Sequence, residues 1–253
     1  MNLPQIVSRD EWLVARKELL AREKAMTRAI DELNADRRRL PMVLVDKPYK
    51  FEGPAGTVGL LDLFDGSRQL IVQHVMWLAD ESRACPSCTA DVDEMADGFF
   101  THLRARDTNL VLVSRGPLDE MQRYQKERGW TVPWYSSAGS DFNYDYHVTM
   151  DESVAPVEYN YRSHAEWQAN GATLVKPGES AELPGLSCFL RDDSGHVYHT
   201  YSTYGRGTDR LGGGYPYLDI TALGRQESWE EPKGRAENAW AACPDFSDLR
   251  PNG

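Results

Sequence analysis

A chain of 253 residues with 28 basic and 39 acidic side chains, net charge −11, lacks the basic surface that non-specific nucleic-acid binding requires. At 41% hydrophobic and 26% charged it reads as an ordinary globular protein, and no run approaches the roughly 20 apolar residues of a membrane span. Four cysteines are too few for a disulfide scaffold, and residues 1–6 lack the basic and apolar regions of a signal peptide. A cytoplasmic location is expected, with neither nucleic acid nor membrane as partner.

In chain order, Ser8 with Glu11 predicts a capping box that opens a helix. Trp12, Leu19, Met26 and Leu33 repeat every seven residues, widened by Ala15, Ala29 and Ile30. The Arg37-Arg38-Arg39 run suits the negative end of the helix dipole, and Pro41 ends the element. About 30 residues at ~1.5 Å each give a rod of about 45 Å, longer than a small domain is wide. Such a narrow stripe clamps onto its own domain or a partner's, and a homodimer through this helix is expected. The alternative is a solvated arm with one packed edge.

Met42–Val45 and Tyr49–Phe51 read as short strands around an Asp46-Lys47-Pro48 turn, with a second turn at Gly53-Pro54-Ala55-Gly56. Leu60–Gly66 predicts a helical turn, and Leu70–Trp77 is an apolar run of strand length. A loop over Leu78–Ala84 leads to Cys85-Pro86-Ser87-Cys88. Beyond it Val92, Met95, Ala96, Phe99, Phe100 and Leu103 fall on one face of a helix expected to run to about Arg106. Pro86 suits the first helical position, which places Cys85 at the helix N-terminus. Unpaired N–H groups and the dipole there stabilise an anion, lowering a thiol pKa from about 8.5 toward about 3.5–7. Cys88 lies on the same face within disulfide reach. Strand, CxxC and helix in this order are the thioredoxin active-site plan.

Asn109–Ser114 predicts a buried strand, Pro117–Arg128 a helix closed by Gly129, and Val132–Ser136 a third strand. This alternation implies parallel pairing. From Trp134 to Trp167 aromatic residues crowd a stretch without clear periodicity, read as a long insertion. Asp192-Asp193-Ser194-Gly195 between Leu186–Arg191 and His196–Thr203 signals a β-hairpin, and Tyr215–Leu223 a final helix. Gly212-Gly213-Gly214 lacks the residues of a phosphate loop. The expected domains are a helical arm over 1–40, a thioredoxin-like domain over 41–225 and a tail over 226–253. Trp229, Trp240 and Phe246 in that tail are candidates to dock onto the body.

The chain also resembles a bacterial thioredoxin-like family, catalogued as a domain of unknown function and described as dithiol-disulfide oxidoreductases with a CPSC motif. The resemblance runs from about residue 5 to residue 225. It is carried by Ser8–Trp12, Gln69–His74, Cys85–Cys88, Ala96–Phe99, Gly139–Asp145 and His199–Tyr204. It implies an α/β thioredoxin-like fold with a long N-terminal helix and an aromatic-rich insertion before the C-terminal β-hairpin. The thioredoxin cis-proline position falls near Leu186-Ser187-Cys188, and Pro184 stands two to three residues early. Peroxiredoxin-like relatives also lack that proline.

The main expectation is a thiol-disulfide oxidoreductase or thiol peroxidase-like enzyme that needs no cofactor. Cys85 attacks a small-molecule or disulfide substrate, Cys88 resolves, and the reductant is not named by the sequence. Trp77, Ser87, Tyr144, Tyr146, Tyr201 and Tyr204 are expected around the substrate, and Asp80 or Glu81 is a candidate buried acid. The alternative is a copper-binding thioredoxin-like oxidase of an aromatic small molecule, with Cys85, Cys88 and His74 or His199 as ligands. Structural zinc needs four ligands, whereas Cys188 and Cys243 stand alone.

Overall fold

The computed structural model describes residues 3–209, 211, 213–234 and 239. Trp240, Cys243 and Phe246 lie outside the described residues. Two compact units emerge, one of residues 1–42 with 217–242, the other built on residues 43–216.

In the first unit, helix α1 (Arg9–Arg37) opens on the expected capping box, the Ser8 hydroxyl accepting from the Glu11 N–H at 3.3 Å. None of its residues is buried, so its apolar stripe faces outward. No helix of the described residues is long and apolar enough to cross a membrane.

The second unit is built on an eight-stranded sheet, ordered β1 (Val43–Leu44), β14 (Val197–Tyr204), β13 (Gly185–Arg191), β4 (Gln69–His74), β7 (Thr108–Ser114), β8 (Trp134–Ser136), β2 (Lys50–Gly53) and β3 (Gly56–Gly59). Its elements begin with β1 (Val43–Leu44), β2 (Lys50–Gly53), β3 (Gly56–Gly59), β4 (Gln69–His74), β5 (Trp77–Leu78) and β6 (Arg83–Ala84). Helices α2 (Pro86–Asp93) and α3 (Asp97–Arg104), strand β7 (Thr108–Ser114), helix α4 (Leu118–Arg128) and strand β8 (Trp134–Ser136) follow. The insertion carries α5 (Phe142–Asp145), β9 (Thr149–Met150), β10 (Glu158–Tyr159), β11 (Arg162–Ser163), α6 (His164–Ala169) and β12 (Ala181–Glu182). The hairpin β13 (Gly185–Arg191) and β14 (Val197–Tyr204) precedes a single turn, α7 (Tyr215–Leu218).

β4 pairs parallel with β7, and β7 with β8, as strand–helix alternation implies. β4 pairs antiparallel with β13 on its other side. Every residue of β7 is buried, which its apolar run Leu110–Val113 foretells for a central parallel strand. The segment β14-β13-β4-β7, with CxxC opening the helix after β4, is the thioredoxin-like arrangement.

Four expectations need correction. The cysteine helix does not run unbroken to Arg106. It breaks at Glu94–Ala96, where both Glu94 carboxylate oxygens accept from the Gly214 N–H at 2.9 Å, and α3 restarts at Asp97. The final helix is one turn rather than nine residues. The loop before Cys85 contains a small hairpin, Trp77 pairing with Ala84. Finally, β13 starts at Gly185, opposite His74, so Pro184 directly precedes the strand instead of standing early. Sequence spacing placed the strand start late because Gly185 is not a strand former.

Candidate active site

Cys85 caps α2 with extended backbone angles, and Pro86 takes the first helical position. The Cys85 N–H donates to the Met76 carbonyl at 2.9 Å, tying the cap to the segment between β4 and β5, and the Cys85 carbonyl accepts from the Thr89 N–H at 2.8 Å. The far end of α2 is anchored to α4 and the loop after it. The Asp93 carboxylate takes a charge-assisted bond from Arg128 and the Trp130 indole N–H at 2.7 Å. A helix held at both ends keeps its thiols in place.

Cys85 is half-buried and Cys88 buried, and both are reduced. The Cys85 thiol is lowered to about 5, first because the Cys88 thiol donates to it. The Ser87 hydroxyl, 3.3 Å from the Cys85 sulfur, and the backbone N–H groups of Ser87 and Cys88 add to this against the opposing cost of burial. Cys88 is driven the other way, its proton held in the bond to Cys85 and its charge penalised by burial. The two shifts define roles, a standing thiolate at Cys85 and a protonated reserve thiol at Cys88. The Cys188 thiol, by contrast, is pushed up to about 11 by burial.

Trp77 lies in the same buried cluster as Cys88, with Cys85 packed against that cluster. Its ring covers Gly116 so closely that a Cβ there would meet it at 2.7 Å. The indole N–H is buried without a partner. The four tyrosines expected around a substrate sit in different surroundings. The Tyr144 hydroxyl accepts from Arg115 at 2.7 Å. Tyr146 is buried against Phe142 at 4.5 Å between ring centres, and Tyr204 is buried with its hydroxyl on the Tyr146 carbonyl. Tyr201 sits opposite Cys188 in the hairpin. Two of the four are therefore core residues, which sequence crowding alone does not reveal.

The copper alternative needs histidine beside the thiols. The Gln73 side chain reaches Asp91 on α2, so alternation along β4 turns His74 to the opposite face, against Phe142 and Tyr146. There His74 Nε2 contacts Ser187 Oγ at 3.0 Å, Ser187 contacts Ser202 at 2.9 Å, and Ser202 contacts His199 Nε2 at 2.8 Å. A bulge at Thr200, between the pairs Cys188–Tyr201 and Phe189–His199, brings His199 and Ser202 onto one face. Burial pushes His74 down to about 3, so the imidazole is neutral. Cys85, Cys88, His74 and His199 are not brought together. Among the described residues no group of three or more His, Cys, Asp and Glu is placed to hold a metal ion, a zinc set included.

Asp80 and Glu81, the candidate buried acids, are exposed, Glu81 pairing with Arg83 at 2.7 Å. A carboxylate that does bear on the thiols is Asp91, one helical turn beyond Cys88, whose charge adds to the rise of the Cys88 thiol. The helical repeat from Cys88 was the available signal for it.

Several solved structures are similar to the chain at a low level. One is a bacterioferritin comigratory protein from Xanthomonas campestris studied for alkyl peroxide reduction, with 8% identity over 68% of this chain and 94% of that one, TM-score 0.45. Another is peroxidoxin BcpB from Mycobacterium tuberculosis, with 13% identity over 65% and 84%, TM-score 0.42. A third is a thiol:disulfide interchange protein DsbE from Chlorobium tepidum, with 14% identity over 68% and 92%, TM-score 0.36. No functionally curated protein shows significant similarity to the chain. The sequence matches the bacterial protein family of unknown function DUF899 over residues 1–245, and the chain belongs to that family.

Proposed function

We propose that the chain is a thiol-based oxidoreductase acting through Cys85 and Cys88. The observation that carries this reading is Cys85 at the N-cap of α2, its sulfur contacted by the Cys88 thiol, the Ser87 hydroxyl and two backbone N–H groups. The Cys85 thiolate attacks one sulfur of a disulfide, or the oxygen of a peroxide, and the leaving thiolate or hydroxide carries away the electron pair. Cys88 then displaces the bound group, closing the Cys85–Cys88 bond, and an external reductant reopens it. The cycle uses no cofactor. We place this cycle in the cytoplasm, a compartment that keeps such a pair reduced between turnovers. The test is mild oxidation of the full chain with diamide followed by peptide mapping. A Cys85–Cys88 crosslink is expected, and a map without one overturns the reading.

We also infer a homodimer through α1. Trp12, Leu19, Met26 and Leu33 are 44–50% exposed, and their seven-residue spacing is that of a two-helix seam. The full chain should sediment as a dimer, and the double variant Leu19→Glu with Met26→Glu as a folded monomer. A monomeric wild type would sink the idea.

A further inference from the structure

We propose that Asp91 takes the Cys88 proton when Cys88 attacks the bond formed at Cys85. The inference rests on the dithiol reading and adds a residue to it.

In the resting state the Cys88 proton sits in the bond to Cys85. Once Cys85 is bonded to a substrate sulfur it no longer offers a thiolate, so the proton needs another acceptor. Cys88 is buried, and direct loss to solvent is slow. Asp91 lies three residues on along α2, on the same face, with about 5–6 Å expected between the two Cβ atoms. Across a spacing of that order a single water can relay the proton. Gln73 Nε2, at the buried end of β4, holds one Asp91 oxygen at 2.5 Å, while the outer side of the residue meets solvent. The bond from Gln73 draws the carboxylate toward the buried end of β4, and its exposed side can exchange a proton with water.

Charged and titratable neighbours leave this role to Asp91. Glu94 on the same helix is bonded to the Gly214 N–H, and Asp93 to Arg128 and Trp130. Asp209, after β14, pairs with Arg206 at 3.3 Å. Glu94 and Asp209 both bear on Asp91 electrostatically and, with burial, raise its carboxyl above the ordinary range. Cys88 itself feels Cys85, Asp91 and a backbone contact from Met76. Tyr159 faces it from β10, with its hydroxyl donating to the Pro184 carbonyl at 2.8 Å. The step balances. The Cys88 S–H bond breaks and its proton passes to the Asp91 carboxylate. The freed sulfur pair forms the Cys85–Cys88 bond, and the Cys85–substrate bond breaks with its electron pair leaving on the substrate thiolate.

The test uses the full chain with Cys188→Ser and Cys243→Ser and a chromogenic aryl disulfide, which releases one arylthiolate when Cys85 attacks and a second when Cys88 resolves. Asp91→Asn should leave the first phase unchanged, itself proof of folding, and slow the second by about ten- to a hundredfold near neutral pH. Asp91→Glu should restore most of that loss, and Gln73→Leu should show part of it. The wild-type second phase should plateau above the Asp91 ionisation. The Asn variant should instead rise about tenfold per pH unit and converge with wild type where Cys88 ionises unaided. Equal second phases in wild type and Asn variant across pH overturn the role of Asp91 alone. A wild type with no second phase overturns the dithiol reading as well.

Discussion

Limiting iodoacetamide at neutral pH should label Cys85 first, with Cys88 and Cys188 far slower. The thiolate is the nucleophile, Cys85 is lowered to about 5, and Cys188 is pushed up to about 11. Because a lowered thiol is ionised above its pKa, the Cys85 rate should be flat from about pH 8 down to about pH 6. It should then fall about tenfold per unit below about 5. A midpoint between pH 8 and 9, that of an ordinary thiol, would show that Cys85 is not activated. The largest cause of the lowered value is the bond from the Cys88 thiol. Cys88→Ser keeps a donor there and should hold the profile in place while accumulating a mixed disulfide at Cys85. Cys88→Ala removes the donor and should move the profile to higher pH, since the charged form loses a hydrogen bond. Cys85→Ser should be inert.

The second large effect is on stability. Phe142 is fully buried, with ring centres of Phe51 at 4.9 Å, Tyr49 at 5.1 Å, His74 at 5.6 Å and Phe189 at 6.2 Å. These partners come from β2, the segment before it, β4 and β13, so one short helix of the insertion completes the core on that face of the sheet. Phe142→Ala should lower unfolding stability by about 3–5 kcal/mol, read as a fall in the urea midpoint at unchanged slope. Tyr144→Phe loses only the bond from Arg115 and should cost about 0.5–1.5 kcal/mol. A loss below about 1 kcal/mol for Phe142→Ala would mean that the insertion does not hold the core together. Cys85 should alkylate normally in the folded fraction of both variants, because Phe142 packs on the face opposite α2.

Local chemistry carried far in this chain. The Ser8–Glu11 capping box, the αL Gly129 that closes α4, the apolar run of β7 and the hairpin turn at Asp192–Gly195 were all legible. Each is decided by residues within a few positions of one another. The CPSC at a helix start was legible for the same reason, because the cap, the proline and the first-turn N–H groups are neighbours in sequence.

What needed the folded chain was pairing between distant segments. Only the β4–β13 register sets Pro184 immediately before the strand. Only the alternation along β4, together with the Thr200 bulge, turns His74 and His199 into a buried serine-linked pair rather than ligands beside the thiols. Asp91 is singled out on α2 only by the bond from Gln73, 18 residues away. The aromatic stretch remained ambiguous in sequence because a tyrosine in a core and a tyrosine at a pocket rim look alike. The two are told apart by which neighbours exclude water from them, and those neighbours come from four separate segments of the chain.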